Sequence, residues 1–174
     1  MKKLIALTLL LLLVAGCGSS SSLKLGLGVV GEMSGTNASQ DGDGRAQADV
    51  TVCAVTLDSS NKIVGVAWDV SQIRAAVTAA GAVTPGNDMR SKKEKQGDYN
   101  MKPASPIGKE WFEQIDALEK WATGKAASDV ISMKVYAKDE EHDAVPDVEE
   151  LKSSVTMSVG AFLEALDKAV KNAK

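Results

Sequence analysis

Near the C-terminus, apolar side chains recur at Val159, Phe162, Leu163, Leu166, Ala169, Val170 and Ala173. That spacing lays them along one face of a helix. Lys168, Lys171 and Lys174 fall where the negative end of a helix dipole favours cations. The helix is predicted to begin near Ser158. A second amphipathic helix is predicted after Gly108, with Trp111, Ile115, Leu118 and Ala122 on one face and Trp121 beside it. Residues 124–133 suggest a short helix. The first half of the chain reads differently. Residues 26–31 make a short glycine-rich strand, and residues 50–57 alternate and are rich in β-branched side chains, as strands are. A polar turn at 58–62 leads to a second alternating run at 63–70, so the two form a β-hairpin. Residues 72–78 read as a third strand or, being alanine-rich, as part of a helix over 71–80. Gly81, Pro85 and Gly86 mark turns, and the charged stretches 90–95 and 138–146 read as solvated loops. The fold class is α+β: an antiparallel sheet packed by two main amphipathic helices.

The leading residues belong to a different class. Lys2 and Lys3 precede an apolar run over residues 4–14, too short for a stable membrane span. It ends in Val14-Ala15-Gly16-Cys17, the order of small residues before a cysteine found in bacterial lipoprotein signals. Residues 1–16 are therefore expected to be a lipoprotein signal peptide. Residues 17–25 would hold lipidated Cys17 and a flexible Gly/Ser tether. Residues 26–174 would form one domain in the cell envelope, lipid-anchored on the extracytoplasmic side of the membrane. A domain of this size buries roughly 70% of its unfolded surface. The net charge of −3 grows more negative once Lys2 and Lys3 are removed, which gives no support for nucleic-acid binding.

Few residues offer chemistry of their own. With Cys17 lipidated, Cys53 has no disulfide partner, and its setting, Thr51-Val52-Cys53-Ala54-Val55, is that of a small buried hydrophobe. His142 stands alone among acids, a poor basis for a transition-metal site. No nucleophile–base–acid set suggests a hydrolase. Residues 26–31 spell G-x-G-x-x-G, but without the strand–helix setting that would make it a nucleotide site. Asp41-Gly-Asp43-Gly-Arg45 lacks the later acidic ligands of a calcium loop and reads as a turn.

The polar cluster ahead of the last helix carries the main functional signal. Glu150-Leu-Lys-Ser153-Ser154-Val155-Thr156 resembles the flavin-attachment segment of the FMN-binding domain family. That family includes flavin-bearing surface lipoproteins and the FMN-carrying subunits of sodium-pumping NADH:quinone reductase and Rnf complexes. Its pattern is Asp-x-x-Ser/Thr-Gly-Ala-Thr/Ser, with the last hydroxyl esterified to FMN. Glu150 stands for the Asp, Ser153 and Thr156 match, and Ser154 and Val155 depart from Gly-Ala. Ala104-Ser105-Pro106-Ile107-Gly108-Lys109 is similar to the family's Glu-Thr-Pro-Gly-Ile/Leu-Gly loop, which lies against the flavin. Ser105, Pro106 and Gly108 match, whereas Ala104 and Ile107 depart. The resemblance implies FMN held at Thr156 by residues 153–156 and by Ser105, Pro106, Ile107, Gly108 and Lys109. It further implies an electron-transfer carrier rather than a stand-alone enzyme. Its expected partners are the membrane, a flavin transferase, and a membrane dehydrogenase or quinone pool as electron donor. Trp111 and Trp121 are candidates to stack on the flavin ring, or else core residues. Read from the residues alone, Ser158 or Thr156 caps the helix. The alternative function is a cofactor-free surface lipoprotein that binds a small ligand or a partner protein.

Overall fold

The computed structural model describes residues 22–140 and 142–174. The expected signal peptide and Cys17 lie outside the described residues. The chain opens with three long strands, β1 (Lys24–Thr36), β2 (Gly44–Leu57) and β3 (Ile63–Val77), followed by the short β4 (Val83–Pro85). They pair antiparallel in the order β1-β2-β3-β4. The expected hairpin is present, and its turn is closed by Asp58, whose carboxylate accepts from Ser60 N and Lys62 N. The strands run further than the sequence suggested. The stretch 72–77 is neither a helix nor a separate strand, and Thr78 lies just past the strand end. The stretch continues β3, because Ser71 to Val77 stay in register with Val50 to Gly44 of β2.

The second half supplies the helices. The basic run expected as a loop is a short helix, α1 (Lys92–Lys95), with Ser91 and Glu94 forming a capping box. It is followed by α2 (Trp111–Ala122), α3 (Ala127–Ile131) and α4 (Gly160–Asn172). Within the expected charged loop, β6 (Val145–Pro146) pairs with β5 (Val135–Tyr136). The architecture is α+β, with α2 and α4 on one face of the sheet. Ile115, Leu118 and Ala122 of α2 pack with Ala165, Leu166 and Ala169 of α4 into a core shared with Cys53, Val55 and Trp68 of the sheet. Burying a side chain the size of Ile115, Leu118 or Leu166 stabilises by about 1.5–3 kcal/mol, and each alanine by less.

The glycine pattern at the start of β1 now has a physical cause. A Cβ at Gly26 would overlap the Ala169 carbonyl, and one at Gly28 the Ala165 carbonyl. The two glycines let the backbone of α4 lie directly on β1. In return α4 guards the strand's open edge. Lys168 Nζ donates to Val29 O at 3.2 Å, Asn172 Nδ2 donates to Leu27 O at 3.1 Å, and Leu25 exchanges backbone bonds with Lys174. Unpaired edge groups invite another strand, so this cover limits where a second chain can attach.

Candidate functional site

The two motif loops are far apart in sequence and meet across one side chain. Gln114 lies on the buried face of α2 with no exposure to solvent. Its Oε1 accepts the backbone N–H of Thr156 at 2.9 Å and lies 3.4 Å from the Thr156 hydroxyl. Its Nε2 donates to Ser105 Oγ at 3.2 Å and to Lys109 O at 3.4 Å. A buried amide must satisfy both its donors and its acceptor. Here it does so by tying the expected attachment residue to the expected flavin loop. Sequence reasoning missed Gln114. The signal was a polar residue at 114 on the same helical face as Trp111, Ile115 and Leu118.

The first loop is a tight turn. Pro106 occupies the second position and Gly108 the fourth, both favoured there. Gly108 N donates to Ser105 O at 3.0 Å, and Gly108 adopts a φ of 62°, which favours glycine. Ser105 Oγ also accepts from Lys109 N at 3.3 Å. Glu110 then opens α2, and its carboxylate accepts Met101 N at 2.8 Å, fixing the loop from the other side. Pro106 and Gly108 are exposed, while Ser105, Ile107 and Lys109 are half-buried.

The second loop follows a 3-10 turn at Glu149–Leu151. Leu151 O gathers three donors, the backbone N–H groups of Ser154 and Val155 and the Ser154 hydroxyl. Val155, Met157 and Val159 are then buried in alternation, which leaves Thr156 and Ser158 half-buried between them. Ser153 is exposed. Neither hydroxyl caps α4. The helix begins at Gly160, two residues later than expected, and its N-cap is Val159, which offers no side-chain acceptor. Ser158 Oγ instead donates to Asp143 at 2.9 Å and accepts from Ala144 N at 3.2 Å.

The aromatic candidates separate. Trp111 is 3% exposed and packs on Phe162 with ring centroids 6.1 Å apart, so it is core rather than a stacking surface. Trp121 is half-buried and carries Lys125 Nζ 4.7 Å above its ring. Trp68 lies in the core and donates to Phe162 O at 2.9 Å, which fixes α4 to the sheet just past the Thr156 segment. Burial pushes the Cys53 thiol up to about 12, with the Glu119 charge adding to the effect, so this sulfur stays protonated.

A groove of about 530 Å³ lies beside the start of α4 and reaches Ser158 and Phe162. Its walls carry the carboxylates of Glu32, Asp49, Glu140, Asp143 and Glu164 against the single ammonium of Lys92. A helix N-terminus ordinarily attracts phosphate, but here the surrounding carboxylates oppose it.

No protein-family model matches the chain, and no solved structure matches it. The chain is similar to part of the chlorophenol reductase of Desulfitobacterium hafniense, at 29% identity over 94 residues. The match covers 47% of this chain and 29% of that protein. The chain therefore spans less than a third of the length of the relative that it matches.

Proposed function

We propose that this chain is a membrane-tethered flavoprotein that holds FMN through a phosphoester at Thr156 Oγ1 and relays electrons on the outer side of the cell membrane. The observation that carries the reading is the Gln114 bridge, which brings the attachment-like segment and the flavin-loop-like segment onto one buried amide. The likeness to a segment of a protein named a reductase supports a redox role.

The residues suit the group in three respects. Thr156 is half-buried, and its hydroxyl is not consumed by a helix cap but lies 3.4 Å from Gln114 Oε1, a contact that esterification would replace. Lys109, whose backbone carbonyl accepts from Gln114, brings a cation to the same bridged loops, and a cation favours a phosphate or a reduced, anionic ring. Ser154 and Val155, which depart from the family's Gly-Ala, do not adopt positive φ, so this backbone requires no glycine there. FMN, once bound, supplies the electron chemistry. The chain's own part is to hold the phosphate, orient the loop at residues 105–109, and keep its one core thiol inert. Cys17 would anchor the protein, a flavin transferase would load it, and a membrane dehydrogenase or quinone pool would reduce it.

The test is production with a flavin transferase followed by a denaturing gel. Retained flavin fluorescence that Thr156→Ala abolishes supports the assignment, and a colourless wild type contradicts it. A second reading, a cofactor-free lipoprotein that binds a small ligand or partner protein, is favoured by the acidic groove beside α4. Purified protein that takes up no FMN, even noncovalently, would select it.

A further inference from the structure

The sheet has one face covered by helices, and among the described residues nothing packs over the opposite face. Side chains alternate along β1, β2 and β3, and the pairing register assigns each to a face. Lys24, Glu32, Arg45, Asp49 and Arg74 all fall on the helix side. Towards the ends of the strands, beyond the helices, that side is polar. The open side is mostly apolar, with Thr56, Asp69 and Ser71 as its polar positions. Leu25, Leu27, Val29 and Met33 of β1 are 69%, 56%, 46% and 84% exposed, and Ile73 of β3 is 43% exposed. Between them β2 presents Val50, Val52 and small alanines. The sole charged position of these strands on the open side is Asp69, and its carboxylate is held by the backbone N–H groups of Val70 and Lys93.

We propose that this open face is an interface with a second copy of the same chain, stacked sheet on sheet about a twofold axis. Such stacking makes the two-sheet sandwich that one copy leaves half built. The area suffices. Strands of 13 to 15 residues extend about 40 Å, and three of them span about 14 Å, giving about 600 Å² per copy. Two such faces bury about 1,200 Å², the lower bound for a specific, stable association. The charge pattern names the partner. A face without free charges meets an identical face with no repulsion and no unpaired ion to bury. It also lacks the lysines and arginines that an anionic lipid surface requires. Edge-to-edge pairing is disfavoured where α4 covers the β1 carbonyls.

Disulfide trapping in the full-length chain, in its own membranes, tests the proposal. Val52 lies near the middle of the open face on the central strand, so two copies of Val52→Cys approach one another across the axis. Mild oxidation should give a covalent dimer for Val52→Cys and none for the wild type or for Gln72→Cys, on the helix side. Adding Met33→Glu should cut the yield by at least about tenfold, because it buries an unpaired charge. Circular dichroism of that variant, unchanged from wild type, shows that the fold survives. Absence of a Val52→Cys dimer overturns the proposal. So does an environment-sensitive dye on Val52→Cys that reports insertion into neutral phosphatidylcholine vesicles without cross-linking, since the face would then belong to lipid.

Discussion

Gln114 and Thr156, 42 residues apart, are joined by a 2.9 Å hydrogen bond from the Thr156 backbone to a side chain with no exposure. The same amide donates to Ser105, so one residue of α2 sets the spacing of two surface loops. Replacing it with Leu keeps the volume but strands the Thr156 N–H. The expected loss in urea unfolding is about 1–3 kcal/mol. If the proposed flavin site is correct, Gln114→Leu also lowers flavin loading, while Gln114→Glu, which keeps the acceptor, loses less of it. Equal loading in all three proteins would show that the bridge is only structural.

Gly28→Ala is expected to destabilise by about 1–3 kcal/mol or more, because the new methyl meets the backbone of α4 rather than a movable side chain. Gly31→Ala is the control, since nothing lies within 4 Å of a Cβ there. The difference between the two in denaturant midpoint checks the contact. Equal midpoints would mean that α4 does not rest on β1 as described.

The Arg90 clasp gives a pH dependence. Hydrogen bonds from Arg90 hold the Asp88 carboxyl down to about 2 from an ordinary 3.8. A lowered folded value means that the stabilisation is complete above pH ~4 and is lost as pH falls through about 2. Arg90→Gln should therefore melt below wild type at neutral pH, with a gap that narrows from pH ~4 downward. A gap independent of pH would assign the effect of Arg90 to packing. At the other end, Lys93 is raised. Burial opposes its charge, but the bond to Glu119 at 2.6 Å and that carboxylate's charge outweigh burial. This contribution is present below pH ~10.5 and fades only above it.

Cys53 should resist thiol reagents in the folded state. With the thiol pushed up to about 12 and no solvent exposure, the labelling of wild type and of Cys53→Ala at pH ~8 should match until urea is added. Rapid labelling of Cys53 in buffer would show that the core opens.

The two main helices, α2 and α4, were legible because their apolar spacing is regular and their faces are buried as that spacing implies. The hairpin turn was legible from Asp58 and its polar neighbours. The full length of the strands was not. Ala75 and Ala76 favour a helix locally, and pairing with Ala46 and Arg45 on one side and Pro85 and Thr84 on the other keeps them extended. Residues 90–95 look like a solvated loop until the capping box of Ser91 and Glu94 is seen. Gly26 and Gly28 read as a failed nucleotide motif because their purpose, contact with Ala165 and Ala169, lies about 140 residues away in the sequence. Of the candidate site, Ser105 and Thr156 were legible as residues of interest, and both contact Gln114. The residue between them was not, because a lone glutamine on an apolar stripe is visible as an exception but does not show what it bonds until its partners are known.

The central claim is decided most directly by the intact mass of the protein isolated from its own host, with its visible spectrum. The account requires the polypeptide and acyl chains plus the mass of FMN less one water, with flavin absorbance that Thr156→Ala removes. A mass explained by polypeptide and lipid alone, in colourless material, would contradict it.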